Sequence, residues 1–318
     1  MAKAAQILNL IKAHFSGNEE TFKTAALQVA AHEAKLGHVE VANELKELVL
    51  KQPKKPIRLR SAEKRQLEDL VFERSTKHRL SELVVGEKLR EKIKRIISEY
   101  HRKDEFFDYG LRNRKKILLS GPPGTGKTLT ASIIAHELNV PLYVVMMDRL
   151  ITRYLGETSA KLRQVFDLIK EERGVYLFDE FDAIGAQRGR DNEVGEMRRV
   201  LNSFLQFIEE DESESLIIAA TNTVEILDQA LFRRFDDVLT YSKPDFKQAK
   251  KLIQQRLSLF EKEFDLNSFE ENLKGLSHAD IAMACDNAVK QSILEGTKTI
   301  SSKNLETSIK ERKQMYQA

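Results

Sequence analysis

An α/β fold is what this sequence of 318 residues predicts: a parallel sheet sandwiched by helices, with an all-helical domain after it and a helical bundle before it. Three observations carry that expectation. The run Gly121-Pro122-Pro123-Gly124-Thr125-Gly126-Lys127-Thr128 fits G-x-x-x-x-G-K-[ST] in full, and it sits between a short apolar strand pattern, Lys116 to Ser120, and a helical pattern, Leu129 to Leu138. Two further apolar runs, Gly174 to Phe178 and Leu216 to Ala220, end in the polar pairs Asp179-Glu180 and Thr221-Asn222. Beyond Pro244-Asp245 the strand patterns stop and helical ones alone follow.

Taken in order, residues 1–51 read as three short helices: Ala4 to Phe15, Glu19 to Leu36 and Val39 to Leu50. Ser16 and Glu19 have capping-box spacing, Asn18 can cap, and Gly37 falls where a helix end calls for a left-handed residue. So small a bundle buries little core of its own, and docking on the rest of the chain, a second copy or a partner is expected, beside the plainer reading of a helical ornament. Residues 52–79 form a linker: Lys51 to Arg60 is rich in proline and basic residues, and Ser61 to Leu80 is charged and helical in part. Residues 80–242 alternate strands and helices. Residues 243–318 read as helices over Phe246 to Leu259, Ser268 to Leu273, Ala279 to Leu294 and Ser302 to Lys313.

Composition narrows the classes. With 41% hydrophobic residues the chain can bury a sizeable core. Its 52 Lys and Arg against 49 Asp and Glu leave a formal charge of +3, which gives no global argument for nucleic acid or an anionic membrane. Met1-Ala2-Lys3-Ala4-Ala5 leads into an amphipathic helix without the look of a signal peptide, and no apolar run approaches the length of a membrane span. The single cysteine, Cys285, excludes an intramolecular disulfide framework and suits a reducing compartment, so a cytoplasmic location is expected. Cys285 itself lies on an apolar helical face and reads as a small core residue.

The glycine-rich run has the chemistry of a phosphate cradle. Glycines let successive backbone N–H groups point inward, the following helix adds its positive end, and Lys127 supplies a mobile charge to β- and γ-phosphates. Thr128 is placed to ligate Mg2+. At the next strand end Asp179 would hold the magnesium-bound water shell and Glu180 would polarise the water that attacks the γ-phosphate. Asn222, at a third strand end, would orient that water, its plainer reading being a turn cap. Arg233-Arg234, taken alone, is solvated surface. His136-Glu137 begins like H-E-x-x-H, but Val140 stands where the second zinc ligand belongs, so no metalloprotease site is encoded.

This ordered set resembles the AAA family of P-loop ATPases over roughly residues 80 to 318, most closely its meiotic-type members such as katanin and spastin. Leu83-Val84-Val85-Gly86 is similar to the family's adenine-flanking segment. Arg153-Tyr154-Leu155-Gly156-Glu157 resembles its first pore loop, and Ile184 to Arg199 its second pore loop with the helix after it. Arg233-Arg234-Phe235-Asp236 matches the paired arginine fingers in a compact form, and Gly275-Leu276-Ser277-His278-Ala279-Asp280-Ile281 resembles the lid signature, with His278 where glycine is usual. The resemblance implies a P-loop NTPase sheet with a C-terminal helical lid. It implies ATP held by Val85, Gly86, Pro123, Gly124, Thr125, Gly126, Lys127, Thr128, Leu129, Asp179 and Ala279, with Mg2+ on Thr128 and Asp179. Glu180, Asn222, Arg233 and Arg234 would be the catalytic residues.

It further implies a homo-oligomeric ring, a hexamer, in which the arginines reach the neighbouring subunit's nucleotide. Arg153, Tyr154 and Leu155 would line a pore that remodels or threads a protein substrate, Arg188 and Arg190 adding basic charge. Two alternatives stand beside this: a regulatory ATPase that switches or feeds a separate effector such as a protease, and a nucleic-acid-dependent motor. The near-neutral charge and the lack of an aromatic-basic stripe weigh against the last.

Overall fold

The computed structural model describes residues 8, 12, 19–38, 41–43, 45–46, 67, 69–151, 155–184, 191–223, 232–262 and 264–315; for 19–21, 23, 155–156, 183–184 and 191–198 it describes the backbone alone. The chain divides into two compact units, residues 1–62 and 63–318. In the first, α1 (Glu19–Lys35) ends at Gly37, whose φ of +89° is the left-handed conformation expected there. Ala25, Ala26 and Ala30 of this helix are buried, as is Ala42. The helices expected over Ala4 to Phe15 and Val39 to Leu50 fall largely outside the described residues.

The second unit begins with a difference from the sequence reading. Val71–Arg74, inside the stretch assigned to a charged linker, form strand β1, which pairs antiparallel with β3 (Leu142–Val145) through Val71 opposite Val145 and Arg74 opposite Leu142. Two charges in four residues disguise the strand, and its place at a sheet edge explains why they are tolerated: one face and one backbone edge stay in water. Between them lie α2 (Glu87–His101), α3 (Lys103–Asp108), β2 (Lys116–Ser120) and α4 (Lys127–Glu137). After β3 come α5 (Met147–Leu150), α6 (Leu155–Glu171), β4 (Val175–Phe178), α7 (Asp191–Glu210), β5 (Leu216–Thr221) and β6 (Asp237–Thr240). The sheet order is β1-β3-β4-β5-β2-β6, and every pairing except β1 with β3 is parallel.

Helices cover both faces, which is why the interior positions of the central strands are apolar on both sides, as in Ile117-Leu118-Leu119 and Leu216 to Ala220. Alternate residues go to opposite sides: Ile117 and Leu119 pack with Ile93, Ile96, Ile133 and Ile134 on one face. Leu118 packs with Leu162, Phe166, Phe204 and Ile208 on the other. Phe178 and Phe204 meet edge to face with ring centroids 5.0 Å apart, and Phe181 joins Phe204 at 4.6 Å. The β4 end is thereby anchored in the aromatic core.

The remaining elements are α8 (Phe246–Arg256), the short strands β7 (Glu261–Lys262) and β8 (Thr299–Ile300), α9 (Glu270–Leu273), α10 (His278–Leu294) and α11 (Ser302–Gln314). Their bounds lie close to the sequence reading because each long helix has a side-chain cap. Asp245, Ser277 and Ser301 accept from the backbone N–H groups of Gln248, Asp280 and Asn304. Ala249, Ile253, Leu266, Ile281, Cys285 and Ile309 form the core of these helices, and Val84 contributes to it from the segment before α2. Burial pushes the Cys285 thiol up to about 12.

Candidate functional site

The strand β2 is central, and at its carboxyl end the chain turns through Gly121, Gly124 and Gly126, all with positive φ, before α4 starts at Lys127. Thr125 holds the turn by donating from Oγ1 to the Pro122 carbonyl at 2.7 Å. The Lys127 ammonium is buried and donates to three oxygens, the Gly121 carbonyl at 2.7 Å, the Pro122 carbonyl at 2.9 Å and Asn222 Oδ1 at 2.8 Å. Burial lowers its pKa, against the opposing pull of Asp179 and Asp182. Desolvating a cation among carbonyl dipoles leaves it ready to exchange them for phosphate oxygens. Leu129 is half-buried and anchors the first turn of α4 in the core, while Pro123 and Gly124 are exposed at the loop's tip.

Neighbouring strand ends converge on this loop. Asp179 follows β4 and accepts from Thr128 Oγ1 at 2.7 Å. Two hard oxygens side by side at the end of a phosphate cradle suit Mg2+, and the residues present therefore fit that ion. Glu180 is exposed and has φ +52°, rare for a residue with a side chain, and its N–H is held by Asp179 Oδ1 at 2.9 Å. Holding a non-glycine residue there costs about 1–2 kcal/mol, and Phe181 beyond it is fully buried. The carboxylate is thus aimed outward by a strained turn. Asn222 follows β5, with its N–H on Asp182 Oδ1 at 3.3 Å and its amide oxygen on Lys127. Asp182 escaped the sequence reading because its partner lies 40 residues away.

Other expected residues sit around the loop. Val85 is half-buried and Gly86 precedes the first residue of α2. Together with Leu89, Tyr241, Gln248 and His278 they line a cavity of 250 Å³. Burial holds the His278 imidazole below its usual pKa, with the Val84 backbone and Asp245 acting the other way. The backbone N–H of Ala279 donates to the Gly124 carbonyl at 2.9 Å, so the start of α10 rests directly on the glycine-rich loop.

Arg233 and Arg234 are elsewhere. Phe235 is buried in the core, and Asp236 accepts from the backbone N–H groups of Lys115 and Lys116, both at 2.9 Å. These two anchors clamp the segment where β2 and β6 begin, leaving Arg233 exposed and Arg234 Nε on Glu209 Oε2 at 3.2 Å. The glycine-rich loop lies where β2 ends, and four or five strand residues separate the two by about 13–17 Å. The pair and the loop of one chain stand at opposite ends of the sheet. Arg153, Tyr154, Arg188 and Arg190 lie outside the described residues; Leu155 opens α6, described by its backbone, and Arg199 is exposed on α7.

A glycine-rich cradle at the end of a central parallel strand, with an acidic pair and an amide on adjacent strand ends, defines a P-loop nucleotide hydrolase. Comparison with known proteins agrees: the model of the ATPase family associated with various cellular activities (AAA) matches residues 117–242. An uncharacterized AAA family ATPase of Sinorhizobium fredii, y4kL, is 32% identical over 320 residues, covering 98% of this chain and 96% of that protein. The ATP-dependent zinc metalloprotease FtsH of Mycoplasmopsis synoviae is 34% identical over 220 residues, and the proteasome-activating nucleotidase of Pyrococcus horikoshii 37% over 187. Those alignments cover 66% and 55% of this chain but 33% and 46% of the relatives. The chain belongs to the AAA family and is an ATP hydrolase. No helix among the described residues is long and apolar enough to cross a membrane.

Proposed function

We propose that the protein works as a homo-oligomeric ring, a hexamer, that couples ATP hydrolysis to remodelling or threading of a protein substrate. The observation that carries this reading is the clamping of Arg233 and Arg234 at the end of the sheet remote from their own glycine-rich loop. An arginine held there serves a phosphoryl group only in a second subunit, and head-to-tail contacts of that kind build a ring where the rotation between subunits closes.

In this reading Lys127 and the loop N–H groups hold the phosphates, and the cavity between Val85-Gly86 and His278 takes the base, with α8 to α11 as a lid. Thr128 and Asp179 would hold Mg2+, which neutralises phosphate charge when bound. Glu180 accepts a proton from the attacking water, Asn222 orients that water, and the neighbour's Arg233 and Arg234 stabilise charge on the transferring group, a contribution of about 10³ to 10⁵ in rate in other systems. Tyr154, with Arg153 and Leu155, grips the polypeptide. The balance of Lys and Arg against Asp and Glu supports a protein client over nucleic acid, and the single cysteine supports a cytoplasmic setting. The finer placement beside katanin and spastin rests on the compact Arg233-Arg234-Phe235-Asp236 segment; the FtsH and proteasome-activating nucleotidase relatives named above are of other kinds.

A second reading, a regulatory ATPase that serves a separate protease, is favoured by the likeness to a proteasome-activating nucleotidase. ATPase rates with acidic peptide, basic peptide and single-stranded DNA, for wild type and Tyr154→Ala, separate the readings. Stimulation by acidic unstructured peptide that is lost in Tyr154→Ala supports threading. Client processing indifferent to Tyr154→Ala favours the partner switch, and DNA stimulation that needs Tyr154 favours a nucleic-acid motor.

A further inference from the structure

The lid signature is tied to α11 by a largely buried ion pair. On α11, Arg312 Nη2 donates to Asp280 Oδ1 at 2.7 Å, with the two side chains 17% and 5% exposed. The other oxygen of Asp280 accepts from Ser277 Oγ at 2.6 Å and from the Ser277 N–H at 3.0 Å, and Ser277 Oγ in turn accepts from the Asp280 N–H at 3.2 Å. This reciprocal cap fixes the first turn of α10. From that turn the Ala279 N–H reaches the Gly124 carbonyl at 2.9 Å. The fit there is tight: a Cβ built on Gly124, whose φ is +72°, would lie 2.6 Å from Ser277 Oγ and 3.1 Å from Ala279 Cβ.

We infer that Arg312 is a positioning residue for the nucleotide site, setting through Asp280 and Ser277 the seat of α10 on the glycine-rich loop and hence the loop's affinity for ATP. The inference rests on the reading that residues 121–128 hold the phosphates. Asp280 and Ser277 are buried and hydrogen-bonded to each other, so displacing Arg312 takes a charged partner from the Asp280 carboxylate in a place water reaches poorly. The cap then loosens, and the N–H that holds the loop tip loses its fixed geometry. The effect of Arg312 on the loop passes through Asp280 and Ser277.

The test uses the whole chain of 318 residues and a fluorescent ATP analogue, with hydrogen exchange as a second readout. Arg312→Gln is expected to weaken binding about tenfold, ~1.4 kcal/mol, within the usual range of coupling between sites. It should raise amide exchange in a peptide spanning residues 275–281 while leaving 284–290 as in wild type, and Arg312→Lys should recover most of the affinity. Wild-type affinity in Arg312→Gln overturns the inference. So does weaker binding accompanied by faster exchange throughout α8, α10 and α11, because the arginine would then merely hold the helices together. Lys127→Ala serves as the control for the underlying reading: if it binds the analogue as tightly as wild type, the phosphate cradle is misassigned, whatever Arg312→Gln does.

Discussion

Replacing Gly121 with alanine should do far more damage than the loss of one glycine implies. Its φ of +141° lies where side-chain-bearing residues almost never sit, and a Cβ there would meet the Tyr241 carbonyl oxygen at 2.3 Å and its carbonyl carbon at 2.9 Å. Both are backbone atoms at the end of β6, and they cannot swing aside as a flexible side chain would. Relief requires β2 and β6 to part, which breaks the 2.7 Å bond from the Tyr241 N–H to the Ser120 carbonyl. Backbone strain of about 1–3 kcal/mol and a lost hydrogen bond of about 1 kcal/mol together give roughly 2–4 kcal/mol. In a unit of this size each kcal/mol lowers the melting temperature by about 2–4 °C, so a drop of roughly 5–15 °C is expected by calorimetry. Gly110→Ala is the matched control: φ is +69° and nothing lies within 4 Å of its Cβ, leaving the backbone term of about 1–2 kcal/mol alone. Equal melting temperatures for the two variants, with normal ATP binding in Gly121→Ala, would refute this account of the loop.

Other outcomes follow from the same geometry. Glu180→Gln should bind ATP as wild type does and lose turnover, and Glu180→Gly should also lose turnover while gaining about 1 kcal/mol of stability from its relaxed φ; a denaturant titration beside an ATPase assay checks both. Phe204→Ala, which empties the centre of the aromatic cluster under Phe178 and Phe181, should cost about 3–5 kcal/mol in the same titration. Cys285, whose thiol is pushed up to about 12 by burial, should resist alkylation at pH 8 in the folded protein and react once urea unfolds it; rapid labelling of the native protein would contradict its burial.

The central sheet was legible because its strands are short apolar runs that stop at polar residues, and the long C-terminal helices because Asp245, Ser277 and Ser301 mark their starts. The glycine-rich loop was legible because its chemistry demands a fixed spacing. Strand β1 was not: Val71-Phe72-Glu73-Arg74 carries no strand pattern of its own and is recruited by β3. Nor were the supporting polar residues. Asp236 answers backbone groups about 120 residues away, and Arg312 a carboxylate 32 residues away. Only the fold brings such pairs together, and no spacing rule encodes them. Tyr154 and Arg153 remain expectations from the sequence, since they lie outside the described residues.

The most direct measurement mixes two proteins that the shared-site reading expects to be inactive alone. Lys127→Ala lacks a working phosphate cradle but keeps its arginines, and Arg233→Ala keeps the cradle but lacks a finger. If each site is shared between neighbours, equal mixing with random assembly joins an intact cradle to an intact finger at about a quarter of the contacts in a ring. ATPase activity should then return to roughly that fraction of the wild-type rate. No recovery from a mixture shown to co-assemble, or full wild-type turnover by a protein shown to be monomeric in the assay, would contradict the shared site.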